Sequence, residues 1–374
     1  MTVIGIDARA AAEVPAGRGR YVRELLSALN TQDTGTDRFV LYARERWNPA
    51  REALDPQRFT WSLAATRDPL WHVVTAARAN RVCDVFLSTN SYLTAWMTRI
   101  PTVIVVYDLV PFVDRAQAQS RAARIERITI RPALRRAAAL PCISKATHED
   151  LVRLFPRTAD RASIIPLAAD PGFAAATPAA TADACSRHGL TPRRYVLAAG
   201  TLEARKNLER LIQAWVTLPQ ELRGGCTLVL VGPPGWKLQS TLDAARANPS
   251  EVTLTGFVSD TDLAALYAGC AAFAYPSLYE GFGLPVLEAM TAGAPVITSC
   301  TSSLPEVAGD AAVLVDPRNT SAIRDALRRV LEDHELADEL RVRGHARAAM
   351  FSWARTAAQT LDLLRQSAAA RTRS

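Results

Sequence analysis

Tyr275-Pro276-Ser277-Leu278-Tyr279-Glu280-Gly281-Phe282-Gly283-Leu284-Pro285-Val286-Leu287-Glu288-Ala289-Met290 is the stretch from which the rest of the chain can be read. The apolar run 271–275 leads into it and has the length of a buried strand. A turn carrying Glu280, Gly281 and Gly283 follows, and Pro285 then opens a helix with Glu288 in its first turn. Glycine lets backbone approach a ligand closely, and proline is pre-set for the first helical turn. The free N–H groups at such a helix start, together with the helix dipole, favour an anion such as a phosphate. Carboxylates at 280 and 288 flank that position and are placed to accept hydrogen bonds from hydroxyl groups. A phosphate site beside two hydroxyl acceptors suits a nucleotide sugar. A plain strand–helix turn, with Glu288 complementing the dipole, is the other reading of these residues alone.

The same strand–turn–helix rhythm runs along the whole chain. Candidate strands in the first half are 3–7, 38–43, 59–64, 84–88, 102–108, 138–144 and 163–167. In the second half they are 195–199, 227–231, 252–255, 271–275, 295–299 and 312–315. The stretch 169–194, rich in Ala, Thr and Pro, reads as a linker. Helical spacing between strands places Leu208, Leu211, Ile212 and Trp215, and then Leu263, Leu266, Tyr267 and Cys270, on core-facing stripes. Short, unbroken apolar strands alternating with helices imply parallel sheets covered on both faces. The expectation is an α/β chain of two doubly wound, Rossmann-like domains facing across a cleft. Residues 1–175 would form an acceptor-side domain and 176–352 a nucleotide-sugar domain. A helical tail from 320 onward would pack across the junction, with 353–374 returning to the N-terminal domain.

With 374 residues the chain can bury two full-sized cores, and 49% hydrophobic with 22% charged residues is ordinary globular composition. No apolar run reaches the length of a membrane span. The chain enters a strand at once, carries Asp7 and lacks a basic n-region, so no signal peptide is expected. The six cysteines are scattered without a C-x-x-C pair, which favours a reducing cytoplasm and argues against structural zinc. The net charge of +7 is uneven: residues 1–180 carry 24 basic and 17 acidic side chains, and 181–374 carry 20 of each. The excess is densest over 121–136, where Arg121, Arg124, Arg127, Arg131, Arg135 and Arg136 alternate with Ile125, Ile128 and Leu134. No helix-turn-helix, zinc-finger or aromatic RNA-binding signature accompanies it, so nucleic acid is not expected as a partner. Peripheral contact with an anionic membrane on its cytoplasmic face, or with a lipid-phosphate acceptor, fits this run better. An arginine-rich solvated helix is the alternative.

Gly200-Thr201-Leu202-Glu203-Ala204-Arg205-Lys206-Asn207 follows the first strand of the second half. It puts two cations at a strand's carboxyl end, where they can neutralise a departing diphosphate. Gly232-Pro233-Pro234-Gly235 and Gly256-Phe257-Val258 also end strands, either as plain turns or with backbone groups free for a nucleobase. In the first half, Gly17-Arg18-Gly19-Arg20-Tyr21 leads into an amphipathic helix, but Val22 stands where a dinucleotide fingerprint needs its third glycine. Asp108 closes a strand and is a candidate for steering an acceptor hydroxyl, or for capping the next segment. Asp260-Thr261-Asp262 superficially matches a metal-binding Asp-x-Asp, but it precedes a helical pattern. There Ser259 or Asp260 suits an N-cap and Asp262 the first turn. Neither a metal nor any other cofactor is expected.

On these motifs the chain resembles, over essentially its whole length, the retaining glycosyltransferases of family 4, which have the GT-B fold. The bacterial branch that includes O-antigen mannosyltransferases is the most similar. The resemblance implies that Glu280 contacts the donor sugar and Glu288 the ribose. It gives the pyrophosphate to the backbone N–H groups of Phe282, Gly283 and Leu284, beside Gly281 of the same donor site, and to Arg205 and Lys206. Gly17, Gly19, Gly200, Gly232 and Val258 complete the expected donor site, and Glu280, Asp108, Lys206 and Arg205 the expected catalytic set. The family commonly has His-Asp where this chain has Tyr107-Asp108, so only the aspartate carries over. Arg18 likewise replaces a small apolar residue. The implied reaction moves a sugar, mannose from GDP-mannose by branch resemblance, onto a glycan or lipid-linked glycan hydroxyl with retention and without a metal. A nucleotide-sugar epimerase of the same architecture and a non-catalytic nucleotide-sugar-binding subunit remain as other readings.

Overall fold

The computed structural model describes residues 1–14, 17–48, 53–113 and 120–371, with the side chains of 120–123 and 371 outside that description. Its strands are β1 (Val3–Asp7), β2 (Arg38–Ala43), β3 (Phe59–Leu63), β4 (Val85–Ser88), β5 (Thr102–Ile104), β6 (Leu140–Cys142) and β7 (Ala162–Ile164), followed by β8 (Tyr195–Ala199), β9 (Thr227–Val231), β10 (Val252–Gly256), β11 (Ala272–Tyr275), β12 (Val296–Ser299) and β13 (Ala312–Val315). Every expected strand occurs, with differences at the ends. The stretch 102–108 is regular only to Ile104, although its backbone bonds on both sides: Ile104 and Val106 donate to Ala139 and Pro141, and Val105 to Ser88.

All the strand pairs are parallel. One sheet runs β3-β2-β1-β4-β5, with the β6-β7 pair attached through bridges from Val103 and Val106. The other runs β10-β9-β8-β11-β12-β13. Strand order reverses beside β1 in one sheet and beside β8 in the other. In doubly wound sheets ligands collect at the carboxyl ends of the strands at such a switch point.

The chain divides into two compact units, Met1–Leu167 with Ser352–Ser374, and Ala168–Phe351. Residues 169–194 are not an open linker. They hold a turn (Pro171–Ala175) and a helix (Pro178–Arg187) seated on the helix Asp260–Gly269. Phe173 meets Tyr267 edge-on at 5.8 Å, and the Tyr195 hydroxyl donates to the Leu266 carbonyl at 2.6 Å. The Ala/Thr/Pro composition conceals good helix signals: Thr177 caps the Ala180 N–H, and Pro178 sits in the first turn. Helices Thr320–Glu332 and His334–Ala348 belong to the second unit. The last helix, Trp353–Arg371, packs on Arg18–Thr31, β4 and β5. Thr356 bonds the Pro166 carbonyl at 2.6 Å, and Arg365 pairs with Asp37 at 2.8 Å.

Candidate active site

Because β8 and β11 are neighbours, the loops that leave their carboxyl ends converge. Asn207 stitches them together. It adopts a left-handed backbone (φ 61°), which asparagine tolerates better than most residues. Its side-chain nitrogen donates to the carbonyls of Pro276 (3.0 Å) and Pro317 (2.7 Å). The Arg205 carbonyl accepts from the Leu278 N–H (2.9 Å) and the Ser277 hydroxyl (3.0 Å).

This stitching brings Arg205 and Lys206 onto Glu280. Arg205 Nη1 lies 2.6 Å from Glu280 Oε2, and Lys206 Nζ lies 2.7 Å from Oε1. Oε1 also accepts from Ser277 (2.6 Å) and Tyr275 (2.9 Å). Lys206 bonds the Tyr275 hydroxyl as well and lies 4.8 Å from its ring centre. Arg205 is shared with Glu203 at 2.5 Å. Burial by itself would push the Glu280 carboxyl up, but the charges of Arg205 and Lys206 overrule it and bring it down to about 2. Burial lowers Lys206, against the opposing pull of Glu280. The result is a buried carboxylate clamped between two cations, with both oxygens engaged.

The turn after Glu280 builds the helix start. Gly283 has φ 108°, and a Cβ there would meet Leu304 Cδ2 at 2.7 Å. The Ser302 hydroxyl accepts from the Glu280 N–H (2.9 Å), and Ser303 donates to the carbonyls of Glu280 (3.0 Å) and Phe282 (2.7 Å). Among the described residues the N–H groups of Phe282, Gly283 and Leu284 have no acceptor. They therefore offer a cradle of donors for an anion. Glu288 follows in the same helix, Leu284–Thr291, and is buried.

Gly200, Gly232 and Gly256 end β8, β9 and β10 side by side. A Cβ on Gly232 would fall 2.0 Å from the Gly200 carbonyl oxygen, so close passage of backbone requires glycine there. The Gly232 N–H donates to the Gly256 carbonyl at 2.8 Å, so these two groups are spent on the sheet and are not free for a nucleobase. Val258 is buried and Phe257 exposed. Asp262 sits in the first turn of Asp260–Gly269, where the Ser259 side chain caps its N–H at 3.1 Å. Its carboxylate pairs with Arg187 (2.6 Å) and His188 (3.2 Å).

Gly17, Gly19 and Asp108 belong to the other unit. Gly17 is exposed at the start of Arg18–Thr31. Gly19 is packed so closely that a Cβ would fall 1.8 Å from the Val14 carbonyl oxygen. Asp108 accepts from the Val110 N–H at 3.2 Å and so caps the short helix that follows. Arg18 lies 5.2 Å from the ring centre of Tyr107, the residue standing in the histidine position.

Sequence reasoning missed Ser277, Tyr275, Asn207 and Glu203 as parts of this arrangement. Ser277 carried a signal, three residues before Glu280 in the same turn. Asn207 showed itself only as the residue between a basic pair and an apolar helical pattern.

Comparison with known proteins gives this geometry a context. Residues 186–347 match the family model described as glycosyl transferases group 1. The O-antigen chain mannosyltransferase B of Escherichia coli is 32% identical over 315 residues, 84% of this chain and 78% of that protein. The serotype-specific mannosyltransferase WbdA of Escherichia coli is 41% identical over 172 residues, 44% of this chain but only 21% of that protein. Among solved structures, HepE from Anabaena in complex with UDP and glucose superposes with a TM-score of 0.77 at 16% identity, covering 98% of this chain and all of that one. WaaG, a glycosyltransferase involved in lipopolysaccharide biosynthesis, gives 0.73 at 18% identity, over 97% of this chain and 99% of that one. The two parallel-sheet units are those of the GT-B fold.

Proposed function

The chain belongs to the group 1 glycosyl transferases, and from that premise we propose that it moves mannose from GDP-mannose to a hydroxyl of a growing cell-surface glycan, with the anomeric configuration retained. The observation that carries the site assignment is Glu280, held between Arg205 and Lys206 beside the unpartnered N–H groups of Phe282, Gly283 and Leu284. A nucleoside diphosphate has the matching chemistry. Its phosphate oxygens suit the N–H cradle and the two cations, its ribose hydroxyls suit Glu288, and its sugar hydroxyls suit Glu280. As the sugar leaves, negative charge grows on the diphosphate, and preorganised donors and cations favour that change without reorganising. In this reading Asp108 orients the acceptor hydroxyl, and the departing phosphate takes its proton. The mannosyl donor is supported by the two named mannosyltransferase relatives.

The test is a thermal-shift screen against GDP-, UDP-, ADP- and dTDP-sugars, since a ligand that binds only the native state raises its melting temperature. Transfer to a mannose-ended acceptor then follows with the donor that stabilises most. A shift with another nucleotide and none with GDP-mannose removes the donor assignment. Release of an epimerised sugar nucleotide without acceptor would favour the epimerase.

Peripheral contact with an anionic membrane is the second part of the proposal. It is favoured by helix Ser120–Arg136, whose outer side carries exposed Arg124, Arg131 and Arg135 next to Ile125 (53% exposed) and Ile128 (66%). The side chain of Arg121, part of the same stretch, lies outside the described residues. Among the described residues no helix is long and apolar enough to cross a membrane.

A further inference from the structure

At the carboxyl end of helix Ser120–Arg136 the first unit holds a pocket of about 290 Å³. Its floor is Leu134, Leu154, Phe155 and Pro156, and its rim is Arg131, Arg135, Arg157 and Arg161. Among the described residues no carboxylate lines it. Arg161 is committed: its guanidinium bonds the carbonyls of Leu134 (3.0 Å) and Ala137 (2.6 Å), satisfying the helix end. The helix dipole also favours Arg135 in that last turn. Neither reason applies to Arg157, which comes from the separate turn Pro156–Arg161, nor to Arg131, a full turn earlier. Among the described residues the guanidinium groups of Arg131, Arg135 and Arg157 have no ion-pair or hydrogen-bond partner, although the Arg157 backbone carbonyl accepts from Arg161 at 3.2 Å. Three unneutralised guanidinium groups around a hydrocarbon floor match an anion carried on an apolar stem.

From this arrangement we infer that the pocket seats the phosphate of an anionic bilayer phospholipid, with Arg131, Arg135 and Arg157 on its oxygens and its first carbons on Leu154 and Phe155. The inference rests on the membrane contact proposed above and narrows it to a defined headgroup site. A bilayer lipid is favoured over a free phosphate ester because Ile125 and Ile128, exposed on the same helix, extend the apolar contact beyond the pocket. A ligand held in the pocket alone leaves them without a partner.

The test compares wild type with Arg157→Ala and Arg124→Ala in sedimentation with vesicles of phosphatidylcholine, with and without phosphatidylglycerol. Both variants remove one positive charge from an exposed position, so long-range attraction falls equally. Loss of one basic group at such a surface weakens binding to anionic vesicles by about fivefold, which is what Arg124→Ala should show, and the pocket predicts a clearly larger loss for Arg157→Ala. Soluble dihexanoyl phosphatidate should also compete with the vesicles, whereas inorganic phosphate at equal concentration should not. Wild-type binding that Arg124→Ala weakens and Arg157→Ala leaves intact overturns the pocket while keeping the helix contact. Wild type that ignores phosphatidylglycerol overturns both. Competition by inorganic phosphate equal to that of phosphatidate shows a bare anion site and removes the lipid.

Discussion

Replacing Glu280 with Gln separates its structural from its chemical part. Gln keeps the side-chain shape but withdraws the negative charge from between Arg205 and Lys206. Holding that carboxyl down from 4.5 to about 2 stabilises the folded state by about 3 kcal/mol at neutral pH, at about 1.4 kcal/mol per tenfold change in proton affinity. Because the folded value lies below the unfolded one, the stabilisation is complete above about pH 4.5 and is lost as pH falls through about 2. For a unit of this size that is a melting decrease of about 6–12 °C at pH 7, shrinking to roughly half by pH 3. Transfer should fall about 10–150-fold, the range for one charge-assisted hydrogen bond of about 1.5–3 kcal/mol. Affinity for free GDP should hold or rise, since the two cations lose a competing carboxylate. Differential scanning fluorimetry at the two pH values, steady-state transfer kinetics and calorimetry with GDP read these effects separately. A Glu280→Gln protein with wild-type melting at pH 7 and near-normal turnover refutes both the clamp and the sugar contact.

Lys206→Ala should lower kcat more than it weakens binding of intact donor, because the diphosphate gains charge only as the sugar departs. A rise in KM with kcat unchanged would reduce Lys206 to an anchor. Asp7 is buried with Oδ2 unpartnered among the described residues, and burial raises its carboxyl to about 6. The stability it contributes is therefore full below about pH 4 and lost as pH rises through about 6, so Asp7→Asn should gain up to about 3 kcal/mol at pH 7.5 and nothing at pH 4. Destabilisation of that variant at pH 7.5 in urea titrations would contradict the assignment. Asp262 is occupied by Arg187 and His188. Asp262→Asn should thus shift melting slightly and leave turnover intact, and transfer should persist in EDTA. Loss of activity in EDTA with recovery on adding Mn²⁺ would reverse this.

Much of the fold was legible because a doubly wound sheet writes itself in local terms. Runs such as Tyr195–Ala199, buried throughout, and Thr227–Val231, buried apart from the half-buried Thr227, need no alternation, so a short apolar run between helical patterns is sufficient signal. Where the reading slipped, the cause was a tertiary contact. Residues 178–187 look like a linker until the helix Asp260–Gly269 covers them. The strand expected over 102–108 is regular only to Ile104, and its contact with the β6 side is limited to bridges from Val103 and Val106.

The site was legible residue by residue but not as a set of pairings. Glu280, Arg205 and Lys206 were each assigned to a ligand, because one-dimensional spacing shows which groups end a strand and not which of them meet. In the fold they are first of all one another's counter-ions. That pairing explains how two cations can stay largely buried: removing one partner of such a cluster leaves an uncompensated charge at a cost of about 3–5 kcal/mol. It also bears on how a diphosphate binds. With Glu203 and Glu280 against Arg205 and Lys206, the cluster carries no net charge before any ligand arrives. Attraction for an incoming anion then falls mainly to the unpartnered N–H groups of Phe282, Gly283 and Leu284. In the proposed reaction the cations, already in place, contribute most once a departing sugar leaves the phosphate more negative. An arrangement of that kind holds substrate moderately and the transition state more tightly, which is the condition for raising kcat rather than affinity alone.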